Sequence, residues 1–127
     1  MIYISIPGEV PSKKNSRINT RNGKSFPSKA YDTWHDVAMF HTITQAKGKK
    51  APEPCSISCV FFHKDLRRRD CDNGLSSVLD MLVDAGIIQD DDWKHVKTLS
   101  ATASLDKDNP RCVICILEPG ERLLEAE

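Results

Sequence analysis

Apolar residues in this chain recur with two periods, and the changes between them divide it into segments. Residues 2–6 read as a short strand that Pro7-Gly8 stops. From Val10 to Pro27 the sequence is polar and basic, and Pro11, Asn15, Asn22 and Gly23 mark it as a loop or a twisted hairpin. Ser28 is placed to cap a helix over 29–47, whose apolar face is approximated by Tyr31, Trp34, Val37, Ala38, His41 and Ile43. Gly48 to Pro54 breaks the pattern, and CSISCVFFH at 55–63 alternates as a strand does. A second helix is expected over 73–85, capped by Asp72 or Asn73 and ended at Gly86. Its stripe of Leu75, Val78, Leu79, Leu82 and Val83 keeps helical spacing and should face the core. Residues 95–105 and 111–118 read as two further strands joined at DKDNP. The order β-loop-α-β-α-β-β implies an α+β fold, a single small domain over 1–118 with a mixed β-sheet and two main helices. Residues 119–127 form a C-terminal tail.

A chain of 127 residues, 39% hydrophobic and 28% charged, supports one core and gives no sign of general disorder. No apolar run reaches the roughly 18 residues that span a bilayer, and the N-terminus lacks a secretory pattern, so a cytoplasmic location without membrane association is expected. Five cysteines in that compartment argue against disulfides. Cys55, Cys59, Cys112 and Cys115 have a spacing reminiscent of a zinc site. All four fall on expected strands, however, where residues three apart point to opposite faces, so they are read as small buried apolar residues.

The net charge of zero conceals a separation of charge. Lys13, Lys14, Arg17, Arg21, Lys24 and Lys29 crowd the first 30 residues against Glu9 alone. Lys64, Arg67, Arg68 and Arg69 follow, diluted by Asp65. Residues 70–92 then hold seven aspartates and neither Lys nor Arg. Asp70 and Asp72, two apart in an extended approach to the second helix, would share a side and converge on one ion. Asp90, Asp91 and Asp92 would join them if the next strand returned beside the end of 55–63. Carboxylates so gathered repel one another unless a cation neutralises them, and oxygen ligands alone suit Mg²⁺ or Mn²⁺. A hard divalent ion beside arginines placed to grip adjacent phosphates is what phosphodiester hydrolysis requires.

The run RRRDCDN, the amphipathic helix ending in DAG and the acidic group that follows resemble the RusA family of Holliday-junction resolvases. PSKKNSR (11–17) and PSKAYDTW (27–34) are similar to that family's phage-borne members. The resemblance covers residues 1–118. It implies a homodimeric endodeoxyribonuclease that cuts four-way DNA junctions symmetrically with Mg²⁺ or Mn²⁺, in DNA recombination and repair. The catalytic and metal-binding carboxylates then fall on Asp70, Asp72 and Asp91, with Asp90 and Asp92 as neighbouring alternatives for the last. Lys13, Lys14, Arg17, Arg67, Arg68 and Arg69 would contact DNA. One position departs from the family: Ser76 stands where a Lys is usual, so Lys13, Lys14 or Lys94 must supply the cation, or cleavage is weakened while junction binding survives. Trp93, in a polar neighbourhood, is a candidate to stack on unpaired bases, whereas Trp34 belongs to the core.

Overall fold

The computed structural model describes residues 1–12, 17–19, 23 and 25–120, with the backbone alone for 17–19 and 25–27. The described elements are β1 (Ile2–Pro7), β2 (Arg17–Asn19), β3 (Ser25–Pro27), α1 (Lys29–Ala46), β4 (Cys55–His63), α2 (Cys71–Asp84), β5 (Val96–Leu105) and β6 (Arg111–Leu117). The sheet has the order β1-β6-β4-β5. β6 runs antiparallel to both β1 and β4, and β5 lies parallel to β4 at the edge, so the α+β class with a mixed sheet is what the chain adopts. β2 and β3 pair as a separate two-stranded antiparallel ribbon within the basic segment.

Period-two alternation sets the core face of the sheet. Ile2, Ile4 and Ile6 of β1, Cys55, Ile57, Cys59 and Phe61 of β4, and Cys112, Ile114 and Ile116 of β6 all join one buried cluster. From α2, Val78, Leu79, Met81 and Leu82 pack into it; burying a side chain of this kind contributes about 1.5–3 kcal/mol. Gly74 lets the first turns of α2 approach the sheet, because a Cβ there would stand 3.1 Å from the Phe61 ring. Cys59 and Cys112 share a hydrogen bond deep in the core, and that contact together with burial pushes the Cys112 thiol far above its ordinary range. Cys115 is buried outside that cluster, so the strand cysteines are packing residues and not a four-sulfur metal site.

Ser28 caps α1, its Oγ accepting the Tyr31 N–H at 3.3 Å. The buried stripe of α1 is Tyr31, Trp34, Ala38, Thr42 and Ala46, which corrects the expected face: Val37 and Ile43 are exposed. Small residues let the helices close up here, and the buried Thr42 hydroxyl reaches Met81 Sδ at 3.2 Å. A second link joins His35 Nε2 to Asp84 at 2.7 Å, which places a basic partner beside an acid at the unfavourable end of α2.

α2 starts at Cys71, two residues before the expected boundary, and Asp70 takes the N-cap position with extended backbone (φ −85°, ψ 129°). Asp72 therefore lies within the first helical turn, where an acid is favoured by the helix dipole, and is not in an extended segment shared with Asp70. Gly86 ends the helix in the left-handed region (φ 73°) and donates its N–H to Val83 O at 3.0 Å.

Candidate functional site

The segment between β4 and α2 is a built loop. Glu9, just past β1, reaches across to it: its carboxylate accepts the Lys64 N–H at 2.8 Å, lies 2.8 Å from His63 Nδ1, and takes Arg69 Nε at 3.1 Å. Arg69 gives Glu9 a second bond from its guanidinium at 3.3 Å and also grips the loop itself, reaching Asp65 Oδ1 at 2.8 Å, Asp65 O at 3.1 Å and Arg67 O at 2.9 Å. Burial pushes Glu9 up, but the hydrogen bonds from Lys64 and His63 and the Arg69 charge outweigh it and hold the carboxyl below its ordinary value. The Asp65 carboxyl is held down by its hydrogen bonds to Arg69 and the Arg67 N–H. Arg69 thus works as an internal staple, only 22% exposed. Arg67 and Arg68 project into solvent at 75% and 92% exposure.

Asp70 follows directly. An N-cap aspartate ordinarily accepts a backbone N–H of the first helical turn, an interaction worth about 1 kcal/mol. Here it makes no such bond. Its carboxylate is half exposed, 3.7 Å from Arg68 and 3.4 Å from the Asn73 amide. Asp72 and Ser76 are exposed on the following turns. Behind this rim opens a groove of about 840 Å³, lined by residues 64–71, by 9–12 and by the last five residues of β5. Ser77 anchors the 9–12 wall by donating to Pro11 O at 2.8 Å.

The third expected carboxylate is elsewhere. Because β5 runs parallel to β4, it is Leu105 that lies beside His63, while Val96 lies beside Cys55. The acidic loop precedes Val96 and belongs to the opposite end of the sheet, tied there by Cys55 N–H to His95 O and Ala51 N–H to Ile87 O. The fourteen residues of α2, about 20 Å of helix, separate it from Asp70. The expectation that the acidic loop returns to Asp70 and Asp72 within one chain is corrected by this parallel crossover. Among the described residues no three His, Cys, Asp or Glu side chains gather as a metal would need. Burial raises the Asp91 carboxyl, with further upward contributions from its neighbour Asp90 and from Asp80. Asp92 is occupied locally, receiving the Lys94 and His95 N–H groups and standing 2.6 Å from His95 Nδ1. The contact holds Asp92 down and His95 up. Trp93 is 70% exposed with Lys97 Nζ 4.5 Å from its ring centre, and Trp34 is in the core as expected.

Of the remaining basic candidates, Arg17 opens β2, and its side chain, like Lys13 and Lys14, lies outside the described residues. Glu9 was not legible as a site residue, because its contacts with Lys64 and Arg69 span more than 50 positions, whereas Asp65 pairs with Arg69 only four residues on. No helix among the described residues is long and apolar enough to cross a membrane.

A sequence model of the endodeoxyribonuclease RusA family matches residues 7–117, which takes in every element from β2 to β6 and the last residue of β1. The chain belongs to the RusA endodeoxyribonuclease family. A curated relative, the crossover junction endodeoxyribonuclease RusA of Aquifex aeolicus (strain VF5), is 30% identical over 91 residues, covering 71% of this chain and 70% of that protein.

Proposed function

We propose that this RusA-family chain is a divalent-metal-dependent endonuclease that resolves four-way DNA junctions, acting as a homodimer. The observation that carries the reading is Asp70: an N-cap carboxylate withheld from the helix amides, at the lip of a groove and directly after exposed Arg67 and Arg68. A side chain that forgoes a stabilising cap at a solvent-facing position is better explained by a ligand than by the fold. The relative named for crossover-junction cleavage supports the substrate class.

Asp70 and Asp72 offer only oxygen donors, which fits a hard cation such as Mg²⁺ or Mn²⁺, and the family's third acid falls on Asp91. Such an ion, when bound, lowers the pKa of water and offsets charge on the phosphoryl oxygens. Arg67 and Arg68 hold the flanking phosphates, and Lys13, Lys14 and Arg17 of the basic segment are the further candidates for DNA contact. Arg69, Glu9 and Asp65 fix the loop so that the two exposed arginines and Asp70 keep one relative geometry. Ser76 contributes a hydroxyl and no charge, so the cation acting beside the scissile phosphate comes from another element. Complete loss of that charge would instead yield a protein that binds junctions without cutting them.

The test compares a synthetic four-way junction with linear duplex in Mg²⁺ or Mn²⁺, using wild type and Asp70→Asn. Paired symmetric nicks in the junction, absent in the variant and in EDTA, are expected. Junction binding with no nicking by wild type would select the binding-only alternative, and preferential cutting of RNA or linear duplex would overturn the resolvase assignment.

A further inference from the structure

One apolar side chain stands out of the loop between β4 and α2. Leu66 is 89% exposed, the most of any large apolar side chain among the described residues. Single exposed leucines are ordinary on protein surfaces, so exposure alone assigns nothing. What sets Leu66 apart is its mounting. On one side of it Glu9 holds the Lys64 N–H at 2.8 Å, and on the other the Arg67 N–H goes to Asp65 Oδ1 at 3.1 Å. Arg69 Nη1 then ties Asp65 O at 3.1 Å and Arg67 O at 2.9 Å. The backbone on both sides of Leu66 is thus fixed, while its side chain stands in solvent.

The surroundings indicate what such a side chain would meet. Arg67 and Arg68, the next two residues, are the exposed cations that suit phosphates, and Asp70 follows them at the lip of the groove. An apolar group held one residue from a phosphate contact is within reach of the base stack. Apolar wedges set among basic contacts unstack neighbouring bases, at least cost where a base already lacks its partner or its stack. A four-way branch point is such a place, and continuous duplex is not. Room for a displaced base is present as well. The groove of about 840 Å³ that Leu66 helps to line has the Phe61 and His63 rings in its wall, 7° from parallel with centres 6.4 Å apart. Glu9 orients the His63 ring through Nδ1 at 2.8 Å, which leaves Nε2 for the edge of a base.

We propose that Leu66 is a wedge that enters the base stack at the branch point of the DNA and so gives the chain its preference for branched over continuous DNA. The proposal rests on the branched-DNA reading given under Proposed function. It divides the loop's work between neighbours: Arg67 and Arg68 bind any duplex through its phosphates, whereas Leu66 gains contact only where bases can be parted. Leu66 is therefore a positioning residue, which opens the stack without touching the scissile phosphate.

Binding without cleavage tests it. Wild type, Leu66→Ala and Leu66→Met are titrated in EDTA against a synthetic four-way junction and a linear duplex of the same sequence. In Leu66→Ala the ratio of junction to duplex affinity should fall about 10-fold at an unchanged melting temperature. Leu66→Met, which restores an apolar side chain of similar length, should recover most of that loss. A junction mismatched at its branch pairs needs no parting, so on it the gap between wild type and Leu66→Ala should close to about 2-fold or less. A Leu66→Ala chain that keeps the wild-type ratio, or a gap as wide on the mismatched junction as on the paired one, would overturn the wedge and leave the nuclease reading intact. Wild type with no preference for the junction would overturn that reading, and the wedge with it. Altered sedimentation of Leu66→Ala would assign Leu66 to a contact between subunits and would also overturn the wedge.

Discussion

Removing the Glu9 carboxylate should separate the staple that holds the phosphate-facing loop from the loop's own chemistry. In Glu9→Ala the Lys64 N–H loses its acceptor, His63 loses the group 2.8 Å from Nδ1, and Arg69 keeps only its contacts with Asp65 and Arg67. Hydrogen bonds to a charged group contribute about 1.5–3 kcal/mol each when well made, less where water can replace the partner. With the carboxylate a quarter exposed and three donors released, the expected loss is about 2–3 kcal/mol. Unfolding entropy near 2.1 cal/mol/K per residue gives about 0.27 kcal/mol/K for 127 residues, so the melting temperature should fall by about 7–11 °C. Glu9→Gln keeps an acceptor for the Lys64 N–H and should lose about half as much.

The same pair of variants carries a pH signature. Glu9 is held below its ordinary value in the folded chain, so its stabilisation is present above the unfolded value of 4.5 and fades as pH falls through the lower folded value. The gap between wild type and Glu9→Gln in urea melts should therefore be full at pH 7 and shrink toward pH 3. Junction affinity should drop in Glu9→Ala at temperatures where the chain is still folded, because Arg67 and Arg68 lose their fixed geometry. A gap that stays constant from pH 7 to pH 3, or a Glu9→Ala chain within about 0.5 kcal/mol of wild type, would refute the staple.

Other consequences are briefer. His95 should titrate above its ordinary 6.5 by NMR and move down in Asp92→Asn; its raised value means stability that is complete below 6.5 and lost as pH climbs through the folded value. Of five thiols, Cys71 is the exposed one, so a disulfide reagent should modify one group quickly and the others only on unfolding. Ser76→Lys should raise junction turnover, by up to about 10²-fold if no other cation serves that position. Unchanged turnover would mean that Lys94 or the basic N-terminal segment already fills the role.

Legibility in the sequence followed the range of the interaction. Strand 55–63 was readable to the residue because alternation and flanking breakers are local properties, and the Gly86 stop and Ser28 cap were readable for the same reason. The face of α1 was not. Val37 and Ile43 look like core by hydrophobicity, yet the neighbours demanded small residues, and Thr42 and Ala46 took the buried positions. The start of α2 was misjudged because an aspartate at an N-cap and an aspartate in the first turn have the same local signature. Glu9 and the inward turn of Arg69 toward it needed the three-dimensional fold, and the basic triplet RRR concealed two solvent-facing arginines and one structural one.

The largest discrepancy concerns direction rather than identity. Bringing 90–92 back to Asp70 within one chain would require β5 to return antiparallel to β4, but a strand reached through a helix of fourteen residues runs parallel. A parallel crossover necessarily puts whatever precedes the helix and whatever follows it at opposite ends of the sheet. The Asp-x-Asp signature and the acidic loop are each local and so legible in the sequence, whereas the sense of the strand that follows them is not, and that strand sense is what keeps the acidic loop at the far end of the sheet from Asp70 within one chain.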